Sequence, residues 1–80
     1  MSARKITFYT TLDCHLCDQA LEMLKSLERE GLVAVTDVDI ADDDELVEAY
    51  GVRIPVLRRR DDGLELGWPF GIKEIKRFLA

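Results

Sequence analysis

Lys5-Ile6-Thr7-Phe8-Tyr9-Thr10-Thr11-Leu12-Asp13-Cys14-His15-Leu16-Cys17 is the stretch on which the reading of this chain turns. Lys5 to Thr10 is short, apolar and rich in β-branched and aromatic residues, which suits a buried central strand. Asp18 to Glu30 continues as an amphipathic helix, with Leu16, Ala20, Met23, Leu24 and Leu27 on one stripe. Between strand and helix stand Cys14 and Cys17, the only 2 cysteines in 80 residues. A helix start offers backbone N–H groups without intrahelical partners and the positive end of the macrodipole, so a thiolate there is stabilised over the thiol. Cysteines so placed have pKa values lowered from roughly 8.5 towards about 3.5–7.5. The i, i+3 spacing puts Cys17 on the same helix face, one turn deeper, where two sulfurs can close a disulfide with little backbone movement. Cys14, nearer the helix end and the solvent, is assigned as nucleophile and Cys17 as resolving thiol.

The residues around the pair have candidate roles of their own. Asp13 or Thr11 can serve as helix N-cap. Asp13 would also raise the pKa of Cys14 by placing a carboxylate beside it. A protonated His15 would stabilise the Cys14 thiolate; the alternative is an exposed first-turn residue of little influence, and the sequence leaves both open. A coincidental pair, or half of a zinc site, is the competing account. A tetrahedral structural zinc needs four ligands, and the single histidine lies inside the motif, so one chain does not close such a site from cysteine and histidine alone.

Eighty residues are expected to form one domain with a small core. The net charge of −5 argues against nucleic acid or an anionic membrane as partner, because phosphate binding needs clustered positive charge. Met1-Ser2-Ala3-Arg4-Lys5 is basic, but no apolar stretch of adequate length follows, so no signal peptide or membrane span is expected. A cytoplasmic location follows as the default. There thiols are kept reduced, and a closely spaced cysteine pair is more often catalytic or metal-binding than a structural staple.

Gly31 is the expected stop of the first helix. Leu32 to Ile40 reads as a second strand, with Ala34, Thr36, Val38 and Ile40 on one face and Val33, Val35, Asp37 and Asp39 on a mixed face that suits a sheet edge. Asp42-Asp43-Asp44-Glu45 lacks the spacing and central glycine of a calcium loop. It reads instead as a helix start, with Asp42 and Glu45 as a capping box and Leu46, Val47 and Tyr50 turned inward up to Gly51. Val52 to Arg58 reads as a strand interrupted by Pro55, which cannot donate to a sheet ladder. By itself Pro55 is a trans edge proline; the conflict also disappears if it opens the strand after a cis bond. Arg58-Arg59-Arg60-Asp61-Asp62-Gly63 reads as a solvated hairpin turn, and Leu64-Glu65-Leu66 as its return strand. A loop from Gly67 to Gly71 follows; Trp68 is a candidate cover for the site, with packing into core or loop the favoured role. Ile72 to Leu79 is a closing helix with Ile72, Ile75 and Leu79 inward. The order is β-α-β-α-β-β-α. The first two crossovers are expected to be right-handed and to give parallel strands, the last pair an antiparallel hairpin.

This order, the Cys14-His15-Leu16-Cys17 motif after the first strand and Ile54-Pro55 before the third resemble the thioredoxin fold. More narrowly, the chain resembles the short bacterial glutaredoxin-like proteins, from Lys5 to Leu79. The resemblance implies an α/β, thioredoxin-like fold over a single domain spanning 1–80. It implies a four-stranded mixed sheet of order 2-1-3-4, helices on both faces and the fourth strand antiparallel. It implies that Cys14 is the exposed nucleophile and Cys17 the buried resolving thiol. It also implies that Pro55 is cis and packs beside the cysteines, with the Ile54 backbone pairing to an extended substrate segment. Familiar dithiol glutaredoxins differ at several positions. They have Pro-Tyr where this chain has His15-Leu16, a lysine where it has Thr10 and Thr11, and Thr-Val where it has Arg53-Ile54. The Gly-Gly stretch that holds glutathione is replaced by Gly67-Trp68-Pro69-Phe70-Gly71. Arg53 is a candidate for one cationic contact to a glutathione carboxylate. Thioredoxin's own Trp-Cys-Gly-Pro-Cys is also absent.

The expected activity is therefore thiol–disulfide oxidoreduction. The Cys14 thiolate would attack a disulfide-containing protein or a glutathione mixed disulfide, and Cys17 would release the reduced product. No tightly bound cofactor or metal is expected; glutathione is a candidate co-substrate, and the protein is expected to be a monomer. The alternative is a thioredoxin-fold binding module whose cysteines are non-catalytic or hold a metal across a dimer. An arsenate-reductase-like enzyme ranks last, since no arginine adjoins Cys14 to bind an oxyanion.

Overall fold

Ile6 and Phe8 point to one side of the first strand and Tyr9 to the other, and all three are buried. That makes β1 (Arg4–Thr10) the strand about which the sheet is built. The computed structural model describes residues 3–80; Met1 and Ser2, part of the expected 1–80 domain and of its basic N-terminus, lie outside the described residues. After β1 come α1 (His15–Arg29), β2 (Val33–Asp39), a 3-10 turn (Ile40–Asp42), α2 (Asp44–Tyr50), β3 (Val56–Arg59), β4 (Glu65–Gly67) and α3 (Ile72–Leu79). The sheet is four-stranded and mixed, in the order β2-β1-β3-β4.

The strand directions differ in one respect from expectation. β2 runs parallel to β1, from the pair Arg4–Val33 to the pair Thr10–Asp39. β3 is antiparallel to β1, with Val56 opposite Tyr9, and β4 is antiparallel to β3. A parallel β3 would need a crossover that returns the chain to the start of β1. α2 has 7 residues, about 10 Å of helix at roughly 1.5 Å per residue. β2 also has 7 residues but covers about 23 Å at roughly 3.3 Å per residue. The helix is too short for the return journey. The chain stays at the end where β1 and β2 finish, and β3 starts there, which brings Pro55 to the end of the sheet that also carries Cys14.

α1 and α3 cover one face, where Ile6, Phe8 and Leu57 pack with Cys17, Ala20, Leu24, Leu27, Phe70 and Ile75. α2 covers one end of the other face, where Tyr9, Ile40, Tyr50 and Val56 form a second cluster. Two apolar residues expected inward are not. Leu16 is 42% exposed, because Cys17 takes the inward position in the first turn of α1, and Val47 is 44% exposed on the outer side of α2. The cap of α2 is Asp43 and not Asp42: its Oδ1 accepts from the N–H groups of Glu45 (2.9 Å) and Leu46 (3.4 Å). Asp42 is already used by the 3-10 turn, which Asp39 caps through the N–H of Ala41 at 2.9 Å.

Gly31 (φ +77°) and Gly63 (φ +76°) take the left-handed conformation where α1 ends and where the hairpin turns. Arg59 corrects the picture of a wholly solvated hairpin. Its side chain is largely buried, donates to the carbonyl oxygen of Phe78 at 2.9 Å and pairs with Asp62. The hairpin is thereby fastened to the last turn of α3. Among the described residues no helix is long and apolar enough to cross a membrane.

Candidate functional site

Thr11–Asp13 lead from the end of β1 into α1, and Asp13 turns the chain with φ +59°. Aspartate tolerates this left-handed conformation better than most residues. Neither Asp13 nor Thr11 caps the helix, as the sequence had suggested. Cys14 is itself the N-cap: it is extended (φ −105°, ψ 103°), and its Sγ accepts from the N–H of Cys17 at 3.2 Å. A cap side chain reaches the third helical residue in just this way, so sulfur stands where serine or aspartate oxygen usually does. Cys14 and Cys17 are joined as a disulfide, with Cα atoms 5.1 Å apart. Cys14 is half-buried, whereas Cys17 is 3% exposed and part of the main core. The two sulfurs are thus unequal: one lies at the surface, the other inside. His15 and Asp13 are both exposed beside them.

The Ile54–Pro55 peptide bond is cis, as is Trp68–Pro69. Pro55 is fully buried and precedes the Val56–Tyr9 pair, so it sits near the end of β1 that leads to Cys14. Ile54 packs against both hydrophobic clusters. Its N–H already donates to the carbonyl of Tyr50 at 3.0 Å. Trp68 stacks edge-on against Phe70 at 5.1 Å and packs on the same core as Cys14.

Arg53 has a partner. Its Nη2 donates to Glu65 Oε1 at 2.9 Å, and its guanidinium lies 5.3 Å from the centre of the Tyr50 ring. The other oxygen of Glu65 accepts from the Tyr50 hydroxyl, and Tyr50 stacks on Tyr9 with ring centroids 4.2 Å apart. The hydrogen bond to the Glu65 carboxylate, with burial added, pushes the Tyr50 phenol up to about 12. The same bond, helped by Arg53, holds the Glu65 carboxyl below the usual carboxylate range. Spacing carries no sign of this cluster, since Tyr50 and Glu65 are 15 residues apart and meet only through the sheet. Among the described residues no three His, Cys, Asp or Glu side chains converge as a metal-binding set.

A four-stranded mixed sheet of order β2-β1-β3-β4 with a disulfide at the start of its first helix defines the class: a small domain of thioredoxin-like fold. The chain belongs to the glutaredoxin-like family, as residues 5–80 match the family described as Glutaredoxin-like domain (DUF836). Its sequence is 47% identical to protein XcR50 from X. campestris, whose X-ray structure superposes with a TM-score of 0.80 over 92% of this chain and 93% of that one. Protein Ne2328 from Nitrosomonas europaea is 25% identical, with a TM-score of 0.82 over 100% of this chain and 95% of that one. A mutant thioredoxin from Halobacterium salinarum NRC-1 shares the fold at 20% identity and a TM-score of 0.75, covering 98% of this chain and 73% of that chain. No curated protein sequence matches the chain.

Proposed function

We propose that this protein is a small thiol–disulfide oxidoreductase working through the Cys14–Cys17 couple. The observation that carries this reading is the inequality of the two sulfurs in one disulfide: half-buried Cys14 at the helix cap, buried Cys17 one turn in. In the reduced protein the Cys14 thiolate would take the same N–H donor and the positive end of the α1 dipole, the environment that lowers a thiol pKa. It would attack a substrate disulfide, form a mixed disulfide and expel one thiol. Cys17 would then attack Cys14 Sγ, close the internal disulfide and expel the second thiol. The cis Ile54–Pro55 segment would position the substrate chain beside the attacking sulfur. Arg53 would serve this loop through Glu65. Asp13 and His15 would tune the thiolate from opposite directions. No tightly bound cofactor is required, and a monomer suffices.

The test is intact-mass analysis after thiol trapping across a series of glutathione redox buffers. A single two-electron transition to the internal disulfide supports the reading and yields the potential. Cys14→Ser should abolish disulfide reduction, and Cys17→Ser should accumulate the mixed disulfide. Full turnover by Cys14→Ser, or thiols that stay reduced throughout, would sink it and favour a binding module with idle cysteines.

A further inference from the structure

Charge is distributed unevenly along the strands. β1 and β2 finish together at the Thr10–Asp39 pair, so the loops that follow both leave from one end. There Asp13, Asp18, Asp42, Asp44 and Glu45 are exposed, and none joins an ion pair among the described residues. Within residues 10–18 and 39–56 the one arginine or lysine is Arg53. Lys73, in the first turn of α3, stands next to Glu74. The opposite end holds Arg4, Arg59 and Arg60 around the hairpin, with Asp61 and Asp62 as partners for Arg4 and Arg59. The disulfide therefore opens at the acidic end of the molecule, and Arg53, the one arginine or lysine in these segments, already holds the Glu65 carboxylate, whose cross-strand neighbour is the exposed Arg58.

We propose that the Glu65–Arg53 pair makes this site select neutral and cationic disulfides over anionic ones, so that its partner is a disulfide on a basic peptide or protein segment and not glutathione disulfide. This rests on the thiol–disulfide reading above. An incoming carboxylate must either displace Glu65 from Arg53 or approach against the unpaired acids. A lysine- or arginine-flanked disulfide meets a favourable potential along the same route. Leu12 (82% exposed) and Val52 in these loops and Leu16 in the first turn of α1 offer apolar contact, which suits a peptide segment more than a small polar tripeptide. The chemistry balances without a further reagent. The reduced protein and one disulfide give the Cys14–Cys17 disulfide and two thiols, with two electrons passing to the substrate and each departing thiolate taking a proton.

The experiment follows single-turnover oxidation of the reduced protein by three small disulfides. They are cystamine (a dication), bis(2-hydroxyethyl) disulfide (neutral) and glutathione disulfide (a net dianion), each rate being divided by that of dithiothreitol with the same compound. At low salt the corrected rate should fall in that order, by about tenfold between the first and the last. In about 1 M salt, where the Debye length shrinks to roughly 3 Å, the three should converge. Glu65→Gln keeps the shape and frees Arg53, and should raise the glutathione disulfide rate several-fold relative to the neutral compound. Equal corrected rates at low salt, or a preference for glutathione disulfide, would overturn the selectivity; an unmoved ratio in Glu65→Gln would remove the Glu65–Arg53 pair as its cause. If none of the three compounds oxidises the protein, the oxidoreductase reading itself fails.

Discussion

On one side of the sheet, Ile6, Phe8 and Leu57 are sealed under α1 and α3 among other apolar groups. On the other, Tyr9 and Tyr50 stack, and Tyr50 turns its hydroxyl to a carboxylate that also holds Arg53. The first side is held by area removed from water and by close packing, which act without direction. The second adds to a smaller buried cluster a set of directed contacts to a charged group, which tie Tyr50 and Arg53 to Glu65. A domain of this size thus uses its larger core for stability and its smaller one to set the geometry of a loop.

That division can be broken by substitution. Phe8→Ala removes a side chain with 1% exposure and should cost about 3–5 kcal/mol in urea unfolding of the oxidised protein. Tyr50→Phe keeps the stacking and loses the hydrogen bond to an ionised group, for which about 1.5–3 kcal/mol is expected. If it costs as much as Phe8→Ala, the second side is not the lesser contributor. Its pH dependence sharpens the point. The Tyr50 pKa is raised from 10.0 to about 12, so the neutral phenol is favoured in the fold; that stability is whole below pH 10 and is lost as pH rises through about 12. Glu65 is lowered, so its share is present above the ordinary carboxylate range and is lost as pH falls through its lowered value. Urea midpoints at pH 9, 10 and 11 should decline less in Tyr50→Phe than in the parent. Asp43→Ala removes the cap of α2 and should cost about 1 kcal/mol by the same assay. Arg53→Ala should cost least, below about 1 kcal/mol, because the arginine is half-exposed and solvent screens its pairing. A larger loss would mean that the pair carries stability as well as loop geometry.

The order of strands and α-helices was readable because each has its own period: β-branched runs for strands, the Ala20–Leu24–Leu27 stripe for α1, glycine at the turns; the 3-10 turn at Ile40–Asp42 was not, and Ile40 read as part of the second strand. The cysteine pair was readable from spacing alone. The direction of β3 was not, because periodicity is the same whichever way a strand runs, and the length of α2 relative to β2 decides it. The cap of α2 was one residue off because Asp42, Asp43 and Asp44 are chemically alike and only the 3-10 turn separates their roles. Leu16 and Val47 looked inward because apolar spacing does not say which helix flank meets the sheet. The Tyr50–Glu65–Arg53 cluster joins residues that only the sheet brings together, so the sequence shows Arg53 without the carboxylate that holds it.

The bond from Arg59 to the Phe78 carbonyl secures the end of α3 beside the hairpin, at the pole of the sheet away from Cys14. Opposite poles thus serve opposite uses. A support attached through Ala80 would hold the disulfide facing the medium, and the anchored molecule would stay open to exchange.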